Sequence, residues 1–214
     1  MYAIATGKSP GIYTDLKQAA DAVAGSVHRA FTYCEDGDEA ARFMLTSRNV
    51  ITPDSDIHTN HLYVDGSCLQ QHRQFGRSTG IGIFKMYCPA DPAPVSLTMN
   101  SGPKTNNFAE LMAIREAIVC AERLLEKTVI WSDSQYAIKA CTEYVLRWKV
   151  NGWLTSAKKP VKNKMIILDI HTRLLSNPII TLRHVRGHAN DLGNTMADHL
   201  ATCASKRAVV GLQE

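Results

Sequence analysis

The order of extended and helical segments after residue 60 constrains the fold of this chain more than any other feature. The extended runs lie at 62–64, 80–87, 95–100, 128–131 and 179–185. The helical runs lie at 106–126, 134–142 and 161–175, with a last helix that ends near 207. Successive strands favour antiparallel pairing, whereas strands separated by helices favour parallel pairing. The pattern therefore predicts a mixed α/β domain with a five-stranded sheet flanked by helices.

The first 45 residues predict a smaller α/β unit. Their apolar pattern indicates a strand at 2–5, a helix at 15–24, a strand at 30–33 and a short helix at 38–45. The polar stretch that follows contains Pro53 and is typical of a linker. We therefore expect a module over 1–45, a linker over 46–60, a main domain over 61–207 and a C-terminal tail over 208–214.

The charge distribution favours a nucleic-acid partner. The chain carries a formal net charge of +4, and its densest basic stretch, 139–164, holds seven Lys and Arg against a single acid. Tyr144, Trp148 and Trp153 lie among these basic side chains. A basic surface with interleaved aromatic rings neutralises phosphates and stacks on bases or sugars. The alternative is a solvated helix–loop–helix surface whose aromatic rings belong to the core.

The composition is that of a globular protein, with 45% hydrophobic and 21% charged residues and no apolar run long enough to cross a membrane. Met1 leads directly into a strand-like segment, so we expect no mitochondrial presequence, no membrane partner and an intracellular location in the nucleus or cytoplasm. Six scattered cysteines without a CxxC pair favour reduced thiols. We also expect a monomer.

Four acidic residues lie inside or directly after apolar stretches: Asp65, Glu110, Asp133 and Asp198. If their carboxylates converge, mutual repulsion raises their pKa values unless a divalent cation compensates it, and Mg²⁺ prefers oxygen ligands. Taken singly, each acid has another explanation. Asp65 suits a turn, Glu110 and Asp133 suit the first turn of a helix, and Asp198 suits a solvated helix face.

Five segments resemble, in order, the motifs of the type 1 ribonucleases H, cellular enzymes that cut the RNA strand of RNA–DNA hybrids. They are YVDGSC (63–68), TNNFAELMAIREA (105–117), WSDSQYAI (131–138), NGWLTSAKKPVKNK (151–164) and HVRGHANDLGNTMADHLA (184–201). The resemblance implies a ribonuclease H-like fold and an endonuclease that leaves 5′-phosphate and 3′-hydroxyl ends. A DNA-directed nuclease or transferase of the same superfamily and a non-catalytic binding protein are the alternatives.

The resemblance also implies a two-metal site. Asp65 bridges two Mg²⁺ ions, for which Mn²⁺ could substitute, with Asp133 beside it, Glu110 on one ion and Asp198 on the other. His188 shuttles protons or assists product release. A zinc site is the rival interpretation, because the His184-x3-His188 spacing suits a metal and is followed by His199 and Cys203.

Contacts with both strands of a hybrid follow from the same resemblance. Asn106, Asn107 and Gln135 are expected to contact the RNA strand. Thr105 and Asn163 are expected to form a pocket for a phosphate of the DNA strand. The channel that adjoins this pocket is expected to consist of Tyr136, Tyr144, Trp148 and Ser156. Two positions depart from the family pattern. Pro103 stands where an arginine of the pocket is common, so we expect Lys104 to substitute, and Tyr144 replaces a usual tryptophan.

The N-terminal module resembles the hybrid-binding domain of eukaryotic members. Tyr2 and Phe31 stand at positions that this domain uses against nucleic acid, but Leu16 replaces a usual tryptophan and Thr32-Tyr33 replaces a usual lysine pair. Losing a stacking ring and two phosphate contacts weakens binding. We therefore expect the module to keep its fold, to bind hybrids weakly and to offer a site for a protein contact instead.

Overall fold

Two separate sheets organise the chain. The computed structural model describes residues 1–6, 8–9, 11–23, 30–36, 39–40, 59–70, 77–86, 88, 90–91, 93–187 and 191–210. The first sheet lies in the N-terminal module and the second in the main domain.

The N-terminal sheet has three antiparallel strands in the order β2-β1-β3. Its elements are β1 (Tyr2–Thr6), β2 (Gly11–Tyr13), helix α1 (Leu16–Val23) and β3 (Ala30–Tyr33). Strand β2 is not among the elements that the sequence predicted. Of the helix predicted at 38–45, only Glu39 and Ala40 are among the described residues, and both are helical. The predicted linker residues 46–58 lie outside the described residues.

The main sheet has five strands in the order β6-β5-β4-β7-β8. They are β4 (Asn60–Gln70), β5 (Arg77–Met86), β6 (Val95–Met99), β7 (Thr128–Ser132) and β8 (Ile180–His184). The first three strands pair antiparallel, whereas β7 pairs parallel with both β4 and β8. The predicted mixed five-stranded sheet is confirmed.

Strand β4 is longer at both ends than the sequence predicted. Asn60, assigned to the linker, pairs with Thr128, and Thr59 before it is buried. At the other end, Asp65 pairs with Gly82 inside a continuous antiparallel ladder, so it is not a turn residue. The Asp-Gly-Ser sequence indicated a turn, but an adjacent strand with two glycines supplies partners that the local pattern does not reveal.

Five helical segments cover the main sheet. Helix α2 (Asn106–Leu124) begins after Thr105, whose side chain accepts a hydrogen bond from the Phe108 amide and so caps the helix. Helices α3 (Gln135–Lys139) and α4 (Val145–Val150) are joined by a π-helical turn, so the helix predicted at 134–142 is longer than expected. Helix α5 spans Lys164–Ser176, and α6 spans Leu192–Val210, which shortens the predicted tail.

Each face of the main sheet builds its own core. Leu62 and Val64 of β4 point into a cluster closed by α2, the α3–α4 segment and α5, and Trp148 and Trp153 pack at its edge. Tyr63, between them, points into a second cluster with α6. This second cluster also contains side chains of the N-terminal module.

The cysteines and the helices bear on the expectations of reduced thiols and of no membrane-spanning segment. All six cysteines are free. No helix in the described part of the chain combines the length and apolar character needed to cross a bilayer.

Candidate active site

Three acidic side chains from three different elements converge at one end of the main sheet. Asp65 comes from β4, Glu110 from α2, and Asp133 directly follows β7. One carboxylate oxygen from each of the three residues lies within 4.8 Å of those of the other two. Asp198 of α6 lines the same cleft, which has a volume of about 330 Å³. The structure thus brings together all four acids that the sequence singled out.

Glycines allow the helices to approach the strands closely enough for this convergence. A Cβ at Gly66 would lie 2.2 Å from the backbone of Ala109 and Glu110. A Cβ at Gly82 on β5 would lie 2.2 Å from the carbonyl oxygen of Ala197. Because backbone atoms cannot yield as a side chain can, these two glycines set the distances of Glu110 and Asp198 from β4.

Burial and neighbouring negative charge raise the pKa values of two of the four acids, Asp65 and Glu110. Burial, followed by the charges of Asp198 and Asp133, raises the pKa of Asp65 to about 7. Burial and the charge of Asp65 raise the pKa of Glu110 well above its usual value. A hydrogen bond between the two carboxyl groups favours the neutral form of Glu110 and the ionised form of Asp65. Without a cation, at least one of these carboxyl groups holds a proton near neutral pH.

The donor set fits a hard divalent cation. Glu110 Oε2 is buried and has no hydrogen-bond partner, so its lone pairs face the cleft unsatisfied. Oxygen ligands of this kind suit Mg²⁺ or Mn²⁺. Among the described residues, only Asp65, Glu110 and Asp133 form a group of three or more candidate ligands.

The described residues contain no cluster of His and Cys side chains that would support the zinc interpretation. His199 and Cys203 are 3.4 Å apart, but they lie beside Tyr2 of the N-terminal module. His184 instead lines a small pocket with Gln135 and Lys139.

His188 lies outside the described residues, so its predicted role stays a prediction. The preceding residue, Gly187, is described and lies against Asp133. A Cβ at Gly187 would be 2.9 Å from Asp133 Oδ2. The segment after β8 therefore reaches the acidic cleft at residue 187.

Asn194 is a cleft residue that the sequence reasoning missed. It is buried on α6, its Nδ2 donates to Asp133 Oδ2 at 3.4 Å, and its Oδ1 has no hydrogen-bond partner. Its position four residues before Asp198 places both on one helix face. That spacing could have identified Asn194 once Asp198 was chosen.

A second cleft of about 730 Å³ lies at the N-terminal end of α2, next to the acidic one. Five predicted contact residues line it: Thr105, Asn107, Tyr136, Trp148 and Asn163. Pro103, which the sequence placed at a pocket position, also lines it, whereas the sequence did not assign the remaining lining residues: Thr155, Lys159, Pro160, Val161 and Lys162. Asn106 lines the acidic cleft instead, and Gln135 lines the small pocket beside His184.

Besides Asn106 and Gln135, three more of the predicted contact residues do not line this second cleft: Lys104, Tyr144 and Ser156. The Lys104 ammonium donates to the Met99 carbonyl oxygen at 2.5 Å, because the chain before α2 folds back on β6. Tyr144 is half-buried, meets Trp148 edge to face and packs against the first core. Ser156 is exposed in the turn between Thr155 and Lys159. The structure therefore does not place Lys104, Tyr144 or Ser156 in the lining of this cleft, and their predicted contacts with a hybrid stay predictions.

The structure also contradicts the surface role predicted for Tyr2 and Phe31. Tyr2 is 3% exposed and Phe31 is 2% exposed, because the main domain covers both rings. In this arrangement neither ring can stack on a nucleic acid.

Residues 58–206 match the sequence model of the family described as RNase H. This chain belongs to the RNase H family. Among its relatives, the ribonuclease H of Schizosaccharomyces pombe is 37% identical over 140 residues, which cover 65% of this chain and 50% of the relative. The ribonuclease H of Treponema pallidum is 36% identical over 160 residues, which cover 69% of this chain and 90% of the relative.

Solved structures agree with the RNase H assignment. The PFV RNase H domain, determined in solution, is 26% identical, has a TM-score of 0.59 and covers 69% of this chain and 94% of its own. The type 1 assignment and the predicted fold are confirmed. The matched part of this chain spans about half the length of the S. pombe relative. Residues 1–45 lie outside the RNase H match, so their likeness to a hybrid-binding domain stays a prediction.

Proposed function

We propose that this protein is an endonuclease that hydrolyses the RNA strand of RNA–DNA hybrids with two Mg²⁺ ions and leaves 5′-phosphate and 3′-hydroxyl ends. The observation that carries the proposal is the four-acid cleft, in which Asp65 is buried, beside a second cleft lined by Lys159, Lys162 and two aromatic rings, within an RNase H domain. The first cleft suits metal-assisted phosphodiester hydrolysis, and the second suits a phosphate backbone.

The four carboxylates would hold the cations. Two bound divalent ions supply Lewis-acid stabilisation of the developing negative charge and a water that is nucleophilic at neutral pH. Asp65 would be the central ligand of the cations, because it interacts with Glu110 as well as with Asp133 and Asp198. Its place within the β4 ladder fixes its backbone rigidly between the helices that carry Glu110 and Asp198.

The first turn of α2 connects the two clefts. Asn106 lines the acidic cleft, and its neighbour Asn107 lines the second one. A duplex lying across this turn would present one strand to the acidic cleft and the other strand to the second cleft. We assign Asn106 to the RNA strand, where its amide can reach a 2′-hydroxyl, and we assign Thr105 and Asn163 to a phosphate of the DNA strand.

The substrate class is tested by parallel digestion of an RNA–DNA hybrid, a duplex RNA and a duplex DNA of one sequence, each labelled on the strand examined. We expect cleavage only of the RNA strand of the hybrid. Equal cleavage of duplex DNA would favour a DNA-directed nuclease, and binding without cleavage would favour a non-catalytic protein.

Removing one cation from the second cleft is expected to weaken binding without slowing the chemistry. For Lys162→Ala we expect KM for the hybrid to rise roughly fivefold at 0.15 M salt, kcat to stay unchanged, and the salt dependence of kcat/KM to fall by about one phosphate contact. Lys17→Ala, an exposed lysine on α1, is the matched control. An unchanged salt slope in Lys162→Ala would place the duplex elsewhere.

Asn194 is expected to act as a positioning residue for Asp133. Asn194→Ala removes the amide that donates to Asp133 Oδ2, so we expect kcat to fall on the order of 10- to 100-fold, as for other groups that orient ligands. The Mg²⁺ concentration for half-maximal rate should rise, while KM for the hybrid stays constant. Thr195→Ser, which keeps the hydroxyl bonded to Asp191, is the control. A rise in KM alone would assign Asn194 to substrate binding.

A further inference from the structure

One continuous apolar cluster joins the N-terminal module to the RNase H domain. Phe31 of β3 meets Phe84 of β5 with ring centroids 5.4 Å apart. Tyr2 of β1 meets His199 of α6 edge to face at 5.5 Å. The cluster continues into Met196 and Leu200 of α6, which are buried together with Tyr63 and Phe84. Both sides of this contact are core-like in composition and in burial.

The sequence departures in the module face the same cluster. Leu16, which replaces a usual tryptophan, is half-buried and packs against it. Tyr33, which falls in the place of a usual lysine pair, stacks on His199 with centroids 5.3 Å apart and an interplanar angle of 26°. A lysine at position 33 would lose this ring contact. Leu16 and Tyr33, which weaken the predicted contacts of the module with nucleic acid, therefore strengthen its contacts with the RNase H domain.

The charge distribution along the chain also favours contact between the module and the RNase H domain. Residues 1–50 carry five Lys and Arg against six Asp and Glu, whereas residues 51–214 carry nineteen against fourteen. A slightly acidic module suits a basic domain better than it suits a polyanion.

We propose that the N-terminal module is a built-in structural part of the RNase H domain, docked on the α6 side of the main sheet through Tyr2, Phe31 and Tyr33, and that it does not bind nucleic acid. It closes the second core of the domain over Tyr63 and Phe84. The protein contact expected of the module is thus made within the same chain, and hybrids reach the protein only through the clefts of the main domain.

The tryptophans allow a direct test in the full chain. All three, Trp131, Trp148 and Trp153, lie in the RNase H domain and none lies in the module. A melting curve followed by tryptophan fluorescence therefore reports on the RNase H domain, and it includes Trp131, which packs against the shared cluster. We expect Phe31→Ala, in the module, to lower this melting temperature by roughly 6–12 °C, as for a buried ring in a shared core.

Two further variants make the result specific. Tyr33→Lys changes a side chain that is 38% exposed, so the module should still fold, and we expect a decrease of roughly 2–4 °C through the lost stack on His199. Ile12→Ala is the matched control, because Ile12 lies in the same module but is 47% exposed and outside the shared cluster. It should leave the curve unchanged. If Phe31→Ala and Tyr33→Lys leave the tryptophan transition in place, the module is an independent unit and the proposal is wrong.

Hybrid affinity provides the second readout. In an Asp65→Asn background, which prevents cleavage, we expect Phe31→Ala to change the Kd for a labelled hybrid by less than about twofold well below the melting temperature. A tenfold or larger loss of affinity would overturn the proposal by assigning the module to nucleic acid. The melting curves need no nucleic acid, so their outcome is independent of the proposed hydrolysis.

Discussion

Replacing Asp65 with asparagine is expected to eliminate hydrolysis of a hybrid while making the cation-free protein more stable. A neutral amide would hold a divalent cation more weakly than a carboxylate does, so we expect kcat/KM to fall by roughly three orders of magnitude or more, equivalent to about 4 kcal/mol of lost transition-state stabilisation. The same change removes one buried charge from a cluster of four. In a chelator at pH 8, we expect the melting temperature to rise by roughly 5–10 °C.

The stability of the cation-free protein should depend on pH with a definite sign. The pKa of Asp65 is raised from its unfolded value of 3.8 to about 7, so the folded state binds this proton more tightly than the unfolded state does. The stability contributed by the bound proton is fully present below pH 4 and is lost as the pH rises through 7. Melting curves in EDTA should therefore shift down between pH 5.5 and pH 8, and Asp65→Asn should flatten this dependence.

The control for this experiment is Asp21→Asn, because Asp21 is exposed on α1, far along the chain from the cleft. It should alter neither activity nor the pH dependence. Retention of more than about a tenth of the activity in Asp65→Asn, or a lower melting temperature in EDTA at pH 8, would contradict the arrangement of charges described above.

The second large effect is expected from Gly66→Ala, although alanine adds only one methyl group. That methyl would overlap the backbone of Ala109 and Glu110 at 2.2 Å, so α2 must move away from β4. Overpacking against backbone destabilises by up to about 3 kcal/mol, which corresponds to a melting temperature lower by roughly 6–12 °C. A displacement of about 1 Å between Glu110 and Asp65 should lower kcat on the order of 100-fold.

Two other glycine variants locate the origin of this effect. Gly82→Ala would overlap the Ala197 carbonyl oxygen at 2.2 Å and displace α6 with Asp198, so it should behave like Gly66→Ala. Gly11→Ala lies in the module, where the nearest atoms are 3.4 Å away in the Tyr13 ring, and it should be nearly neutral. Wild-type kcat in Gly66→Ala would show that close approach of α2 is not needed for the site.

Most helices and strands of the main domain could be predicted because their apolar periodicity is a local signal. The apolar periodicity of 106–126 and the Thr105 cap define α2 without reference to the rest of the chain. The continuation of β4 through Asp65 could not be predicted in this way. It depends on Gly80 and Gly82 of β5, which pair with Ser67 and Asp65 in the antiparallel ladder. Because these glycines have no side chain, they also leave room for α6.

The candidate site was predictable where a motif fixed the residue and less so where tertiary packing decided. The four acids lie together as their motifs suggested. Tyr144 carries the aromatic character of a channel residue, but the π-helical turn directs its ring to the core and to Trp148. Tyr2 and Phe31 have the residue types of a stacking face, and only the distant residues Phe84 and His199 determine that they are buried.

The most direct test of the proposed cation-dependent hydrolysis is the cleavage of a hybrid, labelled on its RNA strand, by protein first stripped with EDTA and then supplied with Mg²⁺. We predict no cleavage in EDTA, and full recovery on Mg²⁺ addition with RNA fragments that carry 5′-phosphate and 3′-hydroxyl ends. Cleavage that persists in EDTA at the rate seen with Mg²⁺ would contradict the assignment of the four carboxylates to a divalent cation centre.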